Sequence, residues 1–345
     1  MNLKYFKFFI FFFIGIFLFK WVYDFFGSAE SIELIKENKS KLFLIILIHI
    51  PTLFFDAIAW KVFIKNVNLS ILWSFIITWV SQASGKFFPT GTITGEFIRI
   101  YLGMKKGLSF YESSSTVFAD LVIATFSLFL IAFFSLLVVL SENINFLNDD
   151  KSLYILLSLL ILFFGCLLFY FFIKKRLIRY ILGLKKPLKV NFKLKRKSLK
   201  FLLKIDLSLY KISTNKINIF KATLIRLLGW ISGAMEIYVF LWIINVEASF
   251  VDVILIEAFT GLIRSVVFFI PAGLGIQELA FVLIGNYVGL SDSVSFSMAL
   301  GRRIREIAVG VPAILTWFFI FEGIGRNNLL FCLYCYFYLN HFCLA

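Results

Sequence analysis

Apolar residues run through this chain in blocks near 20 residues long, divided by short polar or charged stretches. A helix needs about 20 apolar residues, at 1.5 Å each, to cross a hydrocarbon core of about 30 Å. The blocks predict spans over residues 8–26, 42–64, 113–140, 153–173, 222–244 and 294–321. Two further apolar blocks are interrupted: residues 71–104 break at Pro89 to Gly95, and residues 252–290 break at Pro271 to Gly275. Proline removes a backbone donor and glycine removes side-chain bulk, so each break exposes amides and carbonyls that lipid cannot satisfy. Broken helices at membrane depth survive only when packed in protein or lining a wet cavity. About ten residues separate the first break from Lys105 and Lys106, too few to complete a crossing, so a re-entrant hairpin is expected. The expected fold is all-α and polytopic, with about six full spans plus two broken-helix re-entrant hairpins.

The spacing of polar residues predicts an inverted repeat. Pro89 precedes Glu96 by the same interval as Pro271 precedes Glu278, and Glu96 precedes Asp120 as Glu278 precedes Arg302. Asp56 lies 33 positions before Pro89, and Glu236 lies 35 before Pro271. A pair of interrupted segments in corresponding halves is the sequence mark of a transporter's binding site. The chain is thus divided into an N-terminal span and external loop (1–41), a first repeat (42–173), a basic loop (174–221), a second repeat (222–326) and an apolar tail (327–345).

Charge orients the chain. The whole protein carries +15, and residues 174–221 alone hold 16 Lys/Arg against Asp206, so the remainder is neutral. A basic loop between spans is cytoplasmic by the positive-inside rule. That places Glu142, Asp149 and Asp150 outside and both termini inside. No nucleic-acid-binding module accompanies the basic loop, so its charge points to anionic headgroups rather than to nucleic acid.

Thirteen charged residues fall within apolar segments: Asp56, Glu96, Arg99, Asp120, Arg226, Glu236, Glu257, Arg264, Glu278, Arg302, Arg303, Arg305 and Glu306. At about 3 kcal/mol each, facing lipid would cost on the order of 40 kcal/mol, more than a domain's stability. They must pair, snorkel or line a cavity. A helix N-terminus after a break offers free N–H groups and a positive dipole end, and arginine is a good fork for phosphate. Glu96, Arg99, Arg264, Glu278, Arg302 and Arg303 are therefore the expected substrate-binding residues, converging on one wet cavity. Asp56, Asp120, Glu236, Glu257 and Glu306 are the expected supports.

Catalytic chemistry is not legible. His49 and His341 stand at opposite ends, and no phosphate loop, dinucleotide fingerprint or nucleophile elbow occurs. The tail spacing of Cys332, Cys335, His341 and Cys343 looks like metal-ligand spacing, but an aromatic, membrane-like segment carries it, and no metal or cofactor is expected.

Taken together, the motifs PTLFFDAIAW (51–60), TGEFIR (94–99) followed by KKGLS, FAD (118–120), LGWISGAMEIY (228–238), IEAFTGLIRSVVFFIPAGLGIQE (256–278) and LGRRIRE (300–306) resemble the transmembrane region of the lysylphosphatidylglycerol synthase/flippase family. They look closest to its hopanoid-biosynthesis-associated, HpnL-like branch. The first hairpin departs from the family pattern, with Ser84-Gly85 before Pro89 and Thr94-Gly95-Glu96 after it. The resemblance implies a bacterial inner-membrane, flippase-like protein that translocates or handles a phospholipid or hopanoid-type lipid. The family's aminoacyltransferase domain is absent, so no enzyme activity is implied. The alternative is a non-transporting accessory subunit that partners lipid-biosynthesis enzymes.

Overall fold

The computed structural model describes residues 3–27, 29–88, 92–142, scattered positions from 157 to 179, 196–267 and 270–322; among these there are helices and turns but no strand. In chain order the helices are α1 (Leu3–Phe26), α2 (Ala29–Glu37), α3 (Phe43–Lys61), α4 (Ile71–Phe87), α5 (Thr92–Lys105), α6 (Phe110–Glu142), α7 (Arg196–Ser213), α8 (Lys216–Ile243), α9 (Phe250–Val266), α10 (Ile276–Tyr287) and α11 (Asp292–Thr316). A 3-10 turn, Pro271–Gly273, precedes α10, and a π turn, Trp317–Glu322, extends α11. Among the described residues, four segments are long and apolar enough to cross a membrane: Phe43–Lys61, Phe110–Val138, Lys216–Ile243 and Asp292–Phe321. The polytopic all-α expectation is therefore met. The expected span over 153–173, the break residues 89–91, the external loop over 143–150 and the cysteine-bearing tail lie outside the described residues, apart from isolated positions in the span.

The hairpin helices are short. At 1.5 Å per residue, α4 and α5 measure about 25 and 21 Å, and α9 and α10 about 25 and 18 Å. None of the four spans the ~30 Å of hydrocarbon by itself, as re-entrant segments should not. Part of the basic stretch is ordered. Residues 196–213, expected within a loop, form α7, which packs on α6 and lays Leu209, Ile205 and Ile212 against Ala119, Ile123 and Phe63. Its apolar positions recur at helical spacing between lysines, a signal that the net charge of the stretch concealed.

Burial is inverted relative to a water-soluble protein. Asp120, Glu236, Glu278, Arg302 and Arg305 are buried, whereas Phe17, Phe25, Phe134, Trp242 and Phe319 are exposed. A bilayer explains both, because it welcomes the aromatic surface and forces ions inward.

Repeat symmetry is visible in individual contacts. Gly103 faces Ser113 where α5 meets α6, and Gly285 faces Ser295 where α10 meets α11. Gly107 and Gly289 end the first helix of each pair with positive φ, at 96° and 87°. Ser109 and Ser291 then cap the next helix by accepting from Glu112 N–H and Val294 N–H. All four pairs of positions stand at one constant offset, which also relates Pro89 to Pro271, Glu96 to Glu278 and Asp120 to Arg302. The underlying motif, Gly-x3-Gly-Leu-Ser-x3-Ser, is present twice in the sequence.

Packing follows the same duplication. The first helix of each hairpin lies on the helix that follows the hairpin of the other half, α4 on α11 and α9 on α6, while α3 and α8 form the central pair. Side-chain contacts give the direction of that pair. His49 meets Glu236, Thr52 meets Ser232, Asp56 meets Arg226, and Asn218 reaches the Val62 carbonyl. As numbers rise along α3 they fall along α8, so equivalent helices of the two halves run antiparallel. An inverted repeat requires this arrangement.

The antiparallel pair can be tested by crosslinking. In a variant lacking the native cysteines, Thr52→Cys with Ser232→Cys should form a disulfide under mild oxidation, since the two hydroxyls lie 3.2 Å apart. Thr52→Cys paired instead with Asn218→Cys, far along α8, should not. Equal yields from both pairs would contradict the packing.

Candidate ion-pair networks and the second helix break

The sequence-selected charges fall into two networks rather than one cluster. The first lies where α3, α5, α6 and α8 meet. Arg226 on α8 reaches Asp56 on α3 and forks onto Asp120 on α6, with Arg226 Nε donating to Asp120 Oδ1 at 3.1 Å. Arg99 Nη1 lies 2.8 Å from the same Asp120 and 3.5 Å from Glu96 Oε2. The Arg99 guanidinium stacks on Trp60 at 4.6 Å, and Trp60 Nε1 donates to Thr116. Gln82 on α4 completes the set by donating to Asp56 Oδ2 at 2.7 Å.

The second network is built around α11. Arg302 forks onto Glu257 of α9, with Nη1 at 3.1 Å and Nη2 at 2.5 Å, and stacks over Phe281 at 5.3 Å. Arg305 donates to Glu236 Oε1 at 2.9 Å, and His49 Nδ1 lies 3.1 Å from Glu236 Oε2. Arg303 Nη1 reaches Glu306 at 2.9 Å, and Lys86 of α4 lies 3.3 Å from the other oxygen of Glu306. The two networks meet at α4, where Gln82 serves the first and Lys86, one helical turn on, serves the second.

Within the second network the break at Pro271 is closed by side chains. Ala272 sits in the left-handed region at φ 55°, followed by Gly273 at 61° and Gly275 at 78°. That path turns the Ala272 and Gly273 carbonyls toward Arg303, which donates to them at 2.9 and 3.3 Å. The Gly275 N–H donates to Glu278 Oε2 at 2.8 Å, and Arg303 Nε donates to Glu278 Oε1 at 2.6 Å. One ion pair therefore satisfies both donors and acceptors that the break would leave open. Helix α1 covers it from outside. A side chain at Gly275 would meet Leu18 at 2.4 Å, so glycine is needed for this approach as well as for φ.

Arg264 is different. It is half-buried at the C-terminal end of α9, donates once to Gln277 Oε1 at 3.2 Å, and lies against Gly273. Among the described residues, each of the other cations in the two networks has a carboxylate within ion-pair distance, and Arg264 has none. Gln277 is fully buried, and its Nε2 has no partner among them.

Of the six expected binding residues, Arg264, Glu278, Arg302 and Arg303 share the second network, and Glu96 and Arg99 belong to the first. The five supports divide likewise: Asp56 and Asp120 in the first, Glu236, Glu257 and Glu306 in the second. Lys86, Gln82 and Gln277 were not singled out by sequence reasoning. Lys86 had a visible signal, a lysine inside an apolar helix; the two glutamines had none beyond their place near the breaks. An open recess of about 580 Å³ lies elsewhere, at the α8–α9 junction, lined by Tyr238, Trp242 and Glu247 among others.

Over residues 8–313 the chain matches the lysylphosphatidylglycerol synthase transmembrane region. It belongs to that family. The family read from the sequence motifs is thereby correct, and membership ties this multi-pass membrane protein to membrane-lipid function. Neither a curated protein nor a solved structure matches the chain. In this member of the lysylphosphatidylglycerol synthase transmembrane-region family, the second break and the arginines closing it lie inside the matched residues.

The closed break yields a stability prediction. Arg303→Met would leave Glu278, fully buried, without its partner and free two carbonyls, and should destabilise by about 3–5 kcal/mol. Arg264→Met removes one hydrogen bond, worth about 1 kcal/mol, together with a charge that has no carboxylate among the described residues, and should leave stability nearly unchanged. Thermal unfolding of the purified proteins in one detergent should show the larger loss for Arg303→Met. The reverse order would show that the break is held by something else.

Proposed function

We propose that this protein moves an amphiphilic membrane lipid between leaflets, holding its anionic or zwitterionic headgroup at the second break while the acyl chains stay in the bilayer. One observation carries the reading: among the described residues Arg264 is a half-buried guanidinium with a single hydrogen bond and no carboxylate within ion-pair distance, while the neighbouring cations are paired. A cation held this way inside hydrocarbon is costly unless an anion visits it. A lipid phosphate supplies that anion, and the planar fork of arginine suits it. Gln277 Nε2, buried and unpartnered beside Arg264, supplies a second donor.

The inverted repeat supports transport over a passive role. Two equivalent halves running in opposite directions can exchange roles at the two faces of a membrane, which is the basis of alternating access. Family membership supports lipid as the cargo. The described residues of the two networks are carboxylates, guanidiniums, His49 and Lys86 engaged with one another, and we read them as parts of a carrier. The charge pattern supports an inner-membrane orientation with residues 174–221 and both termini in the cytoplasm.

Fluorescent phospholipid exchange in reconstituted vesicles tests this. Arg264→Ala should insert and fold but slow exchange roughly tenfold to hundredfold, the worth of one charge-assisted contact. Arg264→Lys should recover only part, because a point charge replaces the fork. Folded Arg264→Ala protein that exchanges lipid at the wild-type rate would rule Arg264 out as the headgroup site.

A further inference from the structure

The two halves place a glutamate at the same position, Glu96 just before Arg99 in α5 and Glu278 at the start of α10, but hold it differently. Glu278 is locked. It is fully buried and accepts from Arg303 Nε and from the Gly275 N–H, so both of its oxygens are engaged. The position in α6 equivalent to Arg303 is Leu121. Glu96 therefore lacks the arginine that locks its counterpart.

Its actual surroundings are sparse. Glu96 Oε2 has no hydrogen-bond partner among the described residues, and its contact with Arg99 Nη1 is long, at 3.5 Å. The same Arg99 nitrogen lies closer to Asp120, at 2.8 Å, while Arg99 Nε and Nη2 have no partner among the described residues. Every other carboxylate of the two networks accepts at least one hydrogen bond. The side chain of Glu96 is 30% exposed, against 4% for Arg99 and none for Asp120, so it is the most exposed charged group of the first network, although its Oε2 is covered.

The charge count singles out the same residue. Glu96 is faced by Arg99 on its own helix, Asp120 on α6 and Arg226 on α8, with Asp56 on α3 held through Arg226. On α4, the other helix packed against α5, Ser81 and Gln82 are neutral and Lys86 is engaged by Glu306. Three carboxylates thus share two guanidiniums. Asp56 and Asp120 take both, leaving one negative charge in a low-dielectric site with a like charge nearby, and a proton on Glu96 removes it.

We propose that Glu96 is a reversible proton-binding site in the membrane interior, through which this protein takes up and releases H⁺. With the proton bound, the first network is neutral and Arg99 keeps two unengaged donors. When the proton leaves, the carboxylate turns onto those donors and a local ion pair forms. Proton occupancy therefore decides whether Arg99 is available to another anion. The site stands apart from the lipid reading at Arg264, and if lipid is moved, it offers the H⁺ gradient as a source of direction.

Dicyclohexylcarbodiimide tests the proposal without any transport assay, because it adds to neutral carboxylic acids in apolar surroundings and rearranges to a stable N-acylurea. The purified full chain is treated over a range of pH, digested, and the adducts located by mass spectrometry. Glu96 should be labelled, labelling should fall as pH rises, and it should exceed that of Glu278 by at least about tenfold, the worth of one charge-assisted hydrogen bond of the kind that holds Glu278 and not Glu96. Leu121→Arg, restoring the missing lock, should suppress the Glu96 adduct in folded protein. Glu96 unlabelled throughout, Glu278 labelled equally, or an undiminished adduct in folded Leu121→Arg would overturn the proposal. Should Leu121→Arg fail to fold, the Glu96 to Glu278 ratio in the wild type decides. Lipid exchange that fails while Glu96 labels as expected would count against the Arg264 reading alone.

Discussion

The rest of the structure hangs on the antiparallel contact between α3 and α8. Each helix carries one polar group near either end of the contact: His49 and Asp56 on α3, Glu236 and Arg226 on α8. At one end His49 and Glu236 open into the network of Arg302 and Arg305; at the other, Asp56 and Arg226 open into that of Asp120 and Arg99. Neither helix could present these groups to lipid, so the pairing fixes which faces turn inward. It also fixes the register, because a shift of one turn would separate Asp56 from Arg226 and His49 from Glu236 at once.

Around that axis the two halves share a backbone plan but not a charge plan. Positions that face each other in one half face each other in the other: Arg99 with Asp120, and Phe281 with Arg302. An ion pair in the first half is matched by a cation over an aromatic ring in the second, so Arg302 is free to turn to Glu257. A locked carboxylate, Glu278, corresponds to an unlocked one, Glu96. Divergence of this kind lets an inverted repeat keep its packing while giving its two ends different chemistry. The first network ends with an acid in excess and the second with a cation in excess, Glu96 and Arg264.

Much of this was legible without coordinates. The length of the apolar blocks set the all-α, membrane-spanning class, since lipid leaves backbone groups no other partner. The Pro-Gly breaks located both hairpins, and the equal intervals from Glu96 to Asp120 and from Glu278 to Arg302 showed the duplication. The insertion cost of the buried charges required that they pair, snorkel or line a cavity. The family, too, was readable from short motifs around those same residues.

Which charge pairs with which was not readable, because ion pairs join residues far apart in the chain: Asp56 with Arg226, Lys86 with Glu306, Glu236 with Arg305. Sequence chemistry gave Glu278 and Arg303 a role in binding; the folded chain adds that the two satisfy backbone groups of the second break. It also treated Glu96 and Glu278 alike, as their matching positions invite. Only the tertiary structure separates them, since it brings Arg303 onto Glu278, while the position equivalent to Arg303 in the first half is Leu121. Composition and periodicity determined that charges must be inside; three-dimensional neighbourhood alone decided that, among the described residues, Glu96 and Arg264 are the most weakly held.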